Sequence, residues 1–261
     1  MTEFAISKDG TRIGYELEGE GPAVILVAGA MQFRGFDPTT VEMAKLLAAK
    51  GFTVVNYDRR GRGESADASS FTLQDEIDDL AALVDIAGGT AALFGSSSGG
   101  AISLAAAAVG LPVSKLALWE IPLREELGTD GADFLAGFRE RVASGDKAAT
   151  IEYYMKDMPP EWLAGAKNSP GWPIMLELGP SLSADAESLA WTQSTPRAEL
   201  WSGITQPVLA IVGEQTLPIM TEAADSILAN IPSARKATIP GANHSWEPGV
   251  MAGALAEFLA G

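Results

Sequence analysis

Short apolar runs alternate with helix-like segments over most of the chain, and this alternation restricts the possible folds more than any other feature. The run at residues 23–27 (AVILV) has the continuous aliphatic character of a strand buried on both faces of a parallel sheet. A helix is predicted after the candidate N-cap Thr72, because apolar residues there recur at spacings of three and four. Strands and helices in alternation predict a mostly parallel sheet with helices on both faces.

Eight strands are predicted from these patterns, and the first two form a hairpin around Asp9 and Gly10. The predicted strands are residues 4–7, 12–17, 23–27, 52–56, 91–94, 115–119, 208–212 and 235–239, and the helices predicted beside them are residues 41–49, 72–87, 99–108, 221–230 and 248–259. At 261 residues, the chain fits one α/β domain with an insertion better than two independent domains.

The strand pattern stops over residues 122–204, where the sequence is helical and is broken by prolines such as Pro159 and Pro160. We expect this segment to form a helical cap on a core domain of residues 1–121 and 205–261. Its bulky side chains either face the core across a cleft or only attach the cap to it. They are Tyr153, Tyr154, Met155, Met158, Trp162, Trp172, Met175, Trp191 and Trp201.

Residues 95–99 (GSSSG) match the pattern G-x-S-x-G, with a predicted strand before them and a helix of small residues after them. A serine on such a sharp turn has a strained backbone, and the two glycines remove side chains that would clash there. The turn directs the Ser97 hydroxyl outward at a helix N-terminus, where the helix dipole favours developing negative charge. We therefore predict that Ser97 is a nucleophile, with a flexible turn as the alternative interpretation.

A serine hydroxyl needs a neighbouring base, and His244 is the one histidine of the chain. A lone histidine is more often a surface or packing residue than a catalyst. However, His244 lies in the loop after the last predicted strand. In a parallel sheet that loop reaches the same edge as the turn carrying Ser97, because both follow the carboxyl ends of strands. His244 is therefore the predicted general base.

Three ordered segments are similar to those of the α/β-hydrolase superfamily. Residues 57–65 (YDRRGRGES) resemble the family's D-x-R-G-x-G-x-S turn, residues 95–99 resemble its nucleophile elbow, and residues 241–244 (GANH) resemble its histidine loop. The resemblance implies the α/β-hydrolase fold, with an eight-stranded, mostly parallel sheet and a helical cap after strand 6. It also implies an oxyanion hole formed by the backbone N–H groups of Ala30 and Ser98.

The triad acid departs from the family pattern. Residues 213–216 (GEQT) stand where the family usually has G-x-x-D, so Thr216 replaces the expected aspartate. Glu120 is the preferred substitute, because it ends a predicted apolar strand where a charged group needs a partner. Glu214 is the alternative acid, and the absence of any acid is the third possibility. Either glutamate keeps the chain order serine, acid, histidine.

Composition excludes several kinds of chemistry. The chain has no cysteine, so it has no disulfide, thiolate metal site or cysteine nucleophile. With one histidine and no G-x-G-x-x-G after a strand, the sequence predicts neither a metal site nor a bound cofactor. A formal net charge of −16 disfavours nucleic acid and anionic membranes as partners. No apolar run is long enough to span a membrane and no secretory signal is visible, which predicts a cytoplasmic protein.

These residues predict hydrolysis of an ester or lactone with a small apolar or neutral acyl part. The reaction would pass through an acyl-enzyme on Ser97, with His244 as general base and Glu120 as the acid. A cofactor-free haloperoxidase or perhydrolase would use the same triad. A further alternative is a ligand-binding protein, acyltransferase or cyclase on a hydrolase scaffold, which the unusual acid favours. The substrate, stereoselectivity and oligomeric state stay open at this point.

Overall fold

The computed structural model describes residues 1–65 and 68–261. Its centre is a nine-stranded sheet. The strands are β1 (Glu3–Ile6), β2 (Arg12–Glu18), β3 (Ala23–Val27), β4 (Thr53–Tyr57), β5 (Ala91–Ser96), β6 (Val113–Trp119), β7 (Val208–Gln215), β8 (Ala234–Ala242) and β9 (Ser245–Trp246). Their order across the sheet is β1-β2-β4-β3-β5-β6-β7-β8-β9.

The helices fall into two groups along the chain. Those that alternate with strands are α1 (Pro38–Ala48), α2 (Leu73–Ile86), α3 (Ser98–Ala108), α10 (Pro218–Asn230) and α11 (Pro248–Ala260). Those between β6 and β7 are α4 (Asp130–Ser144), α5 (Lys147–Tyr154), α6 (Pro160–Asn168), α7 (Trp172–Glu177), the 3₁₀ turn Gly179–Ser181, α8 (Leu182–Trp191) and α9 (Arg197–Leu200). No helix within the described residues combines the length and the apolarity that crossing a membrane requires.

The six strands β4, β3, β5, β6, β7 and β8 are parallel, whereas β1, β2 and β9 pair antiparallel at the two edges. This confirms the predicted mostly parallel sheet, but the predicted count of eight strands is wrong. The ninth strand arises because Asn243 and His244 both have positive φ, 52° and 63°, and form a two-residue hairpin turn. Ser245 then pairs with Ala242.

Helices cover both faces of the sheet. Successive strand residues point to opposite faces, so in β3 Ile25 packs in one apolar cluster and Val24 in the other. The first cluster includes residues of α2, α3 and α10, and the second includes residues of α1 and α11. This two-sided burial explains why central strands such as β3 and β5 are continuous apolar runs without alternating polar residues.

The helices between β6 and β7 have a smaller apolar cluster of their own, centred on Phe138, Ile151 and Leu182. Ala30 and Met31, in the loop after β3, pack against that cluster. The segment is therefore helical, as expected, and touches the end of the sheet that carries the candidate site. Its division from the core after residues 121 and 204 stays a prediction.

Gly99, the last residue of the G-x-S-x-G segment, is predicted to be essential for stability. An alanine Cβ at Gly99 would lie 2.2 Å from the carbonyl oxygen of Val27, so the helix and strand would have to separate. Gly99→Ala should lower the free energy of unfolding by about 1–3 kcal/mol. Gly253→Ala in α11 is the matched control, because its Cβ would meet no atom within 4 Å. It should raise stability by about 0.5–1 kcal/mol. Urea unfolding followed by circular dichroism tests both changes.

Candidate active site

Ser97 lies between the end of β5 and the start of α3 in a strained backbone conformation, with φ 53° and ψ −126°. Its N–H donates to the carbonyl oxygen of Trp119 on β6 at 2.8 Å, and its carbonyl accepts from Gly100 at 2.9 Å. Such conformations cost about 1–3 kcal/mol and persist where the surrounding structure imposes them. Here the adjacent strand and the following helix do so.

His244, which is partly exposed, and the buried Glu120 form a hydrogen-bonded pair. The Nδ1 atom of His244 lies 2.6 Å from Oε2 of Glu120, whose side chain is 1% exposed. Oε1 of Glu120 accepts from the N–H of Gly213 on β7 at 2.9 Å. An ionised carboxylate only accepts hydrogen bonds, so Nδ1 carries the proton and Nε2 of the neutral ring is left as an acceptor. This is the ring form that a general base requires.

The environment of Glu120 keeps its carboxyl ionised. Burial favours the neutral form, but His244, the nearby Thr216 hydroxyl and the Gly213 N–H outweigh it and hold the pKa of Glu120 below its ordinary value. The sequence carries no sign of the part played by Gly213, because a backbone donor can be any residue. Thr216, which occupies the usual place of the family's acid, lines a small pocket together with Glu120 and His244.

Glu214, the alternative acid, lies exposed on β7. Within the described chain, the carboxylate that contacts His244 is Glu120. The structure therefore brings Glu120, and not Glu214, to the histidine.

Ser97 and His244 line one cavity of about 570 Å³, which is in the size range of small-molecule sites. The ring of Trp162 from α6 stacks on the His244 ring, with centroids 6.2 Å apart and planes at 22°. Of the bulky side chains singled out between residues 122 and 204, those that line the cavity are Tyr154, Met158, Trp162 and Met175. Tyr153, Met155 and Trp172 pack among the helices of that segment, and Trp191 and Trp201 pack on the core.

The carboxylate and guanidinium groups of the cavity wall all have polar partners. Arg124 lies 2.8 Å from a carboxylate oxygen of Asp130 and 2.7 Å from one of Asp157. Asp37 accepts hydrogen bonds from Gln32 and from the first turn of α1. No described trio of acidic and histidine side chains is placed to hold a metal ion. The space around Ser97 is therefore mainly apolar.

The two predicted oxyanion donors flank Ser97. Ser98 is the first residue of α3, so its N–H has no acceptor within the helix. Ala30 lines the cavity in the loop after β3. That loop approaches the nucleophile closely, since a Cβ added at Gly29 would lie 3.1 Å from the Ser97 Cβ and 2.9 Å from the carbonyl oxygen of Ser96. Glycine at position 29 is required for this approach.

A model of the "Alpha/beta hydrolase family" matches residues 24–257. The chain belongs to the alpha/beta hydrolase family. A solved alpha/beta hydrolase from Sphaerobacter thermophilus DSM 20745 is 34% identical with a TM-score of 0.85, over 98% of this chain and 100% of that one. An esterase from Thermogutta terrifontis is 22% identical with a TM-score of 0.70, over 100% of this chain and 97% of that one.

The hydrolase YraK of Bacillus subtilis, which is uncharacterised, is 35% identical to this hydrolase over 99 residues. That match covers 36% of this chain and 35% of YraK, so the chain aligns with about a third of that relative. Membership of this family indicates a hydrolase, whereas the fold does not specify which bond is cleaved.

The lowered pKa of Glu120 predicts a pH-dependent contribution to stability. The carboxylate stabilises the folded state at pH values above the ordinary pKa of 4.5, and this contribution is lost as the pH falls through the folded-state value. Glu120→Gln should therefore lower the free energy of unfolding by about 1.5–3 kcal/mol at pH 7, and by less at pH 3. Urea unfolding at pH 7, 5, 4 and 3 measures the difference. Glu214→Gln, at an exposed site, should cost nothing at any pH. A Glu120→Gln deficit that is independent of pH would contradict the assignment.

Proposed function

We propose that this hydrolase cleaves carboxylic esters, including lactones, through a covalent acyl-enzyme on Ser97. The observation that carries the proposal is the Glu120–His244 pair, 2.6 Å apart, whose histidine lines the same cavity as the strained Ser97. A buried carboxylate, an imidazole with its second nitrogen free and a serine at a helix N-terminus are the parts that acyl transfer needs.

In the proposed mechanism, the Ser97 Oγ attacks the carbonyl carbon while Nε2 of His244 takes the hydroxyl proton. The tetrahedral oxyanion accepts hydrogen bonds from the N–H groups of Ala30 and Ser98. His244 then gives its proton to the departing alcohol, which leaves an acyl group on Ser97. Water, activated by His244, attacks this acyl group and releases the acid. Glu120 stabilises the imidazolium that forms in each half of the reaction.

The cavity favours neutral substrates with an apolar acyl or alcohol part. Its wall is mainly aliphatic and aromatic, and the charge of Arg124 is balanced by two carboxylates. An anionic substrate would find no unpaired cation among these groups, and it would also meet the net charge of −16 of the chain. The esterase from Thermogutta terrifontis shares the fold, but at 22% identity the substrate class rests on the cavity of this chain.

Covalent labelling tests the nucleophile directly. An aryl fluorophosphonate should add once per chain at Ser97, and the labelled peptide should be identified by mass spectrometry. Ser97→Ala should abolish the label. Ser96→Ala is the matched control, because Ser96 is the preceding residue and lines the same cavity. It should still accept one label. Labelling at another residue would contradict the assignment, and saturable ligand binding without any label would favour the non-enzymatic alternative.

Steady-state kinetics on p-nitrophenyl esters of increasing acyl length test the triad. Ser97→Ala should lower kcat by about 10⁶-fold, and Glu120→Gln by about 10³–10⁴-fold, because the histidine loses its orienting charge. Glu214→Gln should change kcat less than threefold, since that side chain is exposed. Loss of activity in Glu214→Gln with activity kept in Glu120→Gln would reverse the choice of acid. Faster turnover of epoxides, or of peroxide with an organic acid, would overturn the ester assignment.

A further inference from the structure

A cluster of four fully buried charged side chains lies beneath the cavity. Arg59, in the turn after β4, pairs with both carboxylate oxygens of Glu76 on α2, at 2.8 and 3.0 Å. Its other terminal nitrogen lies 2.6 Å from Asp185 on α8. Arg62 lies 2.5 Å from the second oxygen of Asp185. All four side chains are 0% exposed, and the cluster joins the sheet to the helices between β6 and β7.

Arg62 holds one proposed oxyanion donor through the backbone. Its NH1 group donates to the carbonyl oxygen of Gly29 at 2.7 Å. That carbonyl and the N–H of Ala30 belong to the same planar trans peptide unit and point in opposite directions. Fixing the Gly29 carbonyl therefore fixes the direction of the Ala30 N–H. Arg59 adds a hydrogen bond of 3.2 Å to the carbonyl of Ala28, one residue earlier.

Asp185 also holds the other proposed donor. The Ser98 hydroxyl donates to Oδ1 of Asp185 at 2.6 Å. The N–H of Ser98 is the one that would donate to the oxyanion. The Ser98 carbonyl accepts a hydrogen bond of 3.5 Å from Ser188, which lies on the same helix as Asp185. One carboxylate from α8 is thus connected to both sides of the oxyanion hole, on one side directly and on the other through Arg62.

The charge of Asp185 is required for this arrangement. Burial favours the neutral acid, but Arg59 and Arg62 outweigh it and lower the pKa of Asp185, so the group is ionised. Two guanidinium groups face two carboxylates in the cluster, and removing one carboxylate leaves a buried positive charge without its partner. Arg62 would then no longer be held in place against the Gly29 carbonyl.

We propose that Asp185 is a positioning residue, which aligns the Ala30 and Ser98 amides so that they meet the oxyanion of the transition state. The inference rests on the proposed function, because the amides matter only if an oxyanion forms. Asp185 acts through Arg62 and the Ser98 side chain and touches no substrate. It stabilises the transition state because donors that are already aligned cost no reorganisation during the reaction.

The test compares Asp185→Asn with a matched buried variant, Asp79→Asn. Asp79, on α2, is also 0% exposed and pairs with an arginine of the same turn, Arg60, at 2.6 and 2.8 Å, but Arg60 makes no described bond to the loop after β3. The pKa of Asp79 is raised to about 6 by burial, so assays at pH 8 compare two ionised carboxylates. Both variants should unfold at a lower urea concentration than the wild type.

Only Asp185→Asn should weaken the stabilisation of the transition state. We expect its kcat to fall about 10²–10³-fold with KM within threefold, as for loss of an oxyanion donor. An alkylboronic acid, which forms a tetrahedral anion on Ser97, should lose affinity by the same factor as kcat/KM. Asp79→Asn should keep both values within threefold. Equal losses in the two variants, or a normal boronate affinity in Asp185→Asn, would overturn the proposal.

Ser98→Ala is a second test, and it keeps all four charges of the ion cluster. It removes the hydroxyl bonded to Asp185 and keeps the backbone N–H, so kcat and boronate affinity should fall about tenfold. Ser103→Ala is its control, because that hydroxyl is equally buried on α3 and bonds only the Gly99 carbonyl among its described partners. A wild type that neither turns over esters nor accepts the fluorophosphonate would overturn both proposals. Normal wild-type kinetics with unaffected Asp185 and Ser98 variants would overturn this one alone.

Discussion

The parallel alignment of neighbouring strands is the constraint on which the candidate site depends. β5, β6, β7 and β8 lie side by side, so their carboxyl ends meet at one edge of the sheet. Ser97 follows β5, Glu120 follows β6, and His244 follows β8, while Gly213 of β7 supplies the hydrogen bond that fixes Glu120. Residues up to 147 positions apart in the chain thus reach the same edge of the sheet because their strands lie side by side.

The same edge concentrates backbone strain. Ser97, Glu120, Asn243 and His244 all have positive φ although none is glycine, and Met31 beside the cavity does too. Each such residue costs about 1–3 kcal/mol. Apolar packing on both faces of the sheet offsets this cost for Met31, Ser97 and Glu120, because β3, β5 and the second half of β6 are almost completely buried. These turns are thus anchored to the buried centre of the sheet, whereas β8, before Asn243 and His244, is largely accessible.

The charged groups near Ser97 form two sets, one on the cavity wall and one in the buried cluster of Arg59, Arg62 and Asp185. The cavity wall is mainly apolar, and its arginine, Arg124, is paired with two carboxylates. Away from water, the buried Arg59 and Arg62 bind the backbone of the loop after β3, and both pair with Asp185. A buried ionic group is stable only with its partners in place. The helices between β6 and β7 therefore complete the core electrostatically, in addition to covering the cavity.

The sequence by itself determined the parallel sheet, its helices and most element bounds, because apolar runs and helical spacing are local properties. It also indicated Ser97 and His244, since each lies in a turn with a recognisable pattern. It could not predict the short strand β9, which depends on a turn at Asn243 without the usual glycine. Only the tertiary structure decided between Glu120 and Glu214 as the partner of His244, and only it placed Asp185 beside the oxyanion loop. These contacts depend on which strands and helices become neighbours, and no local pattern carries that information.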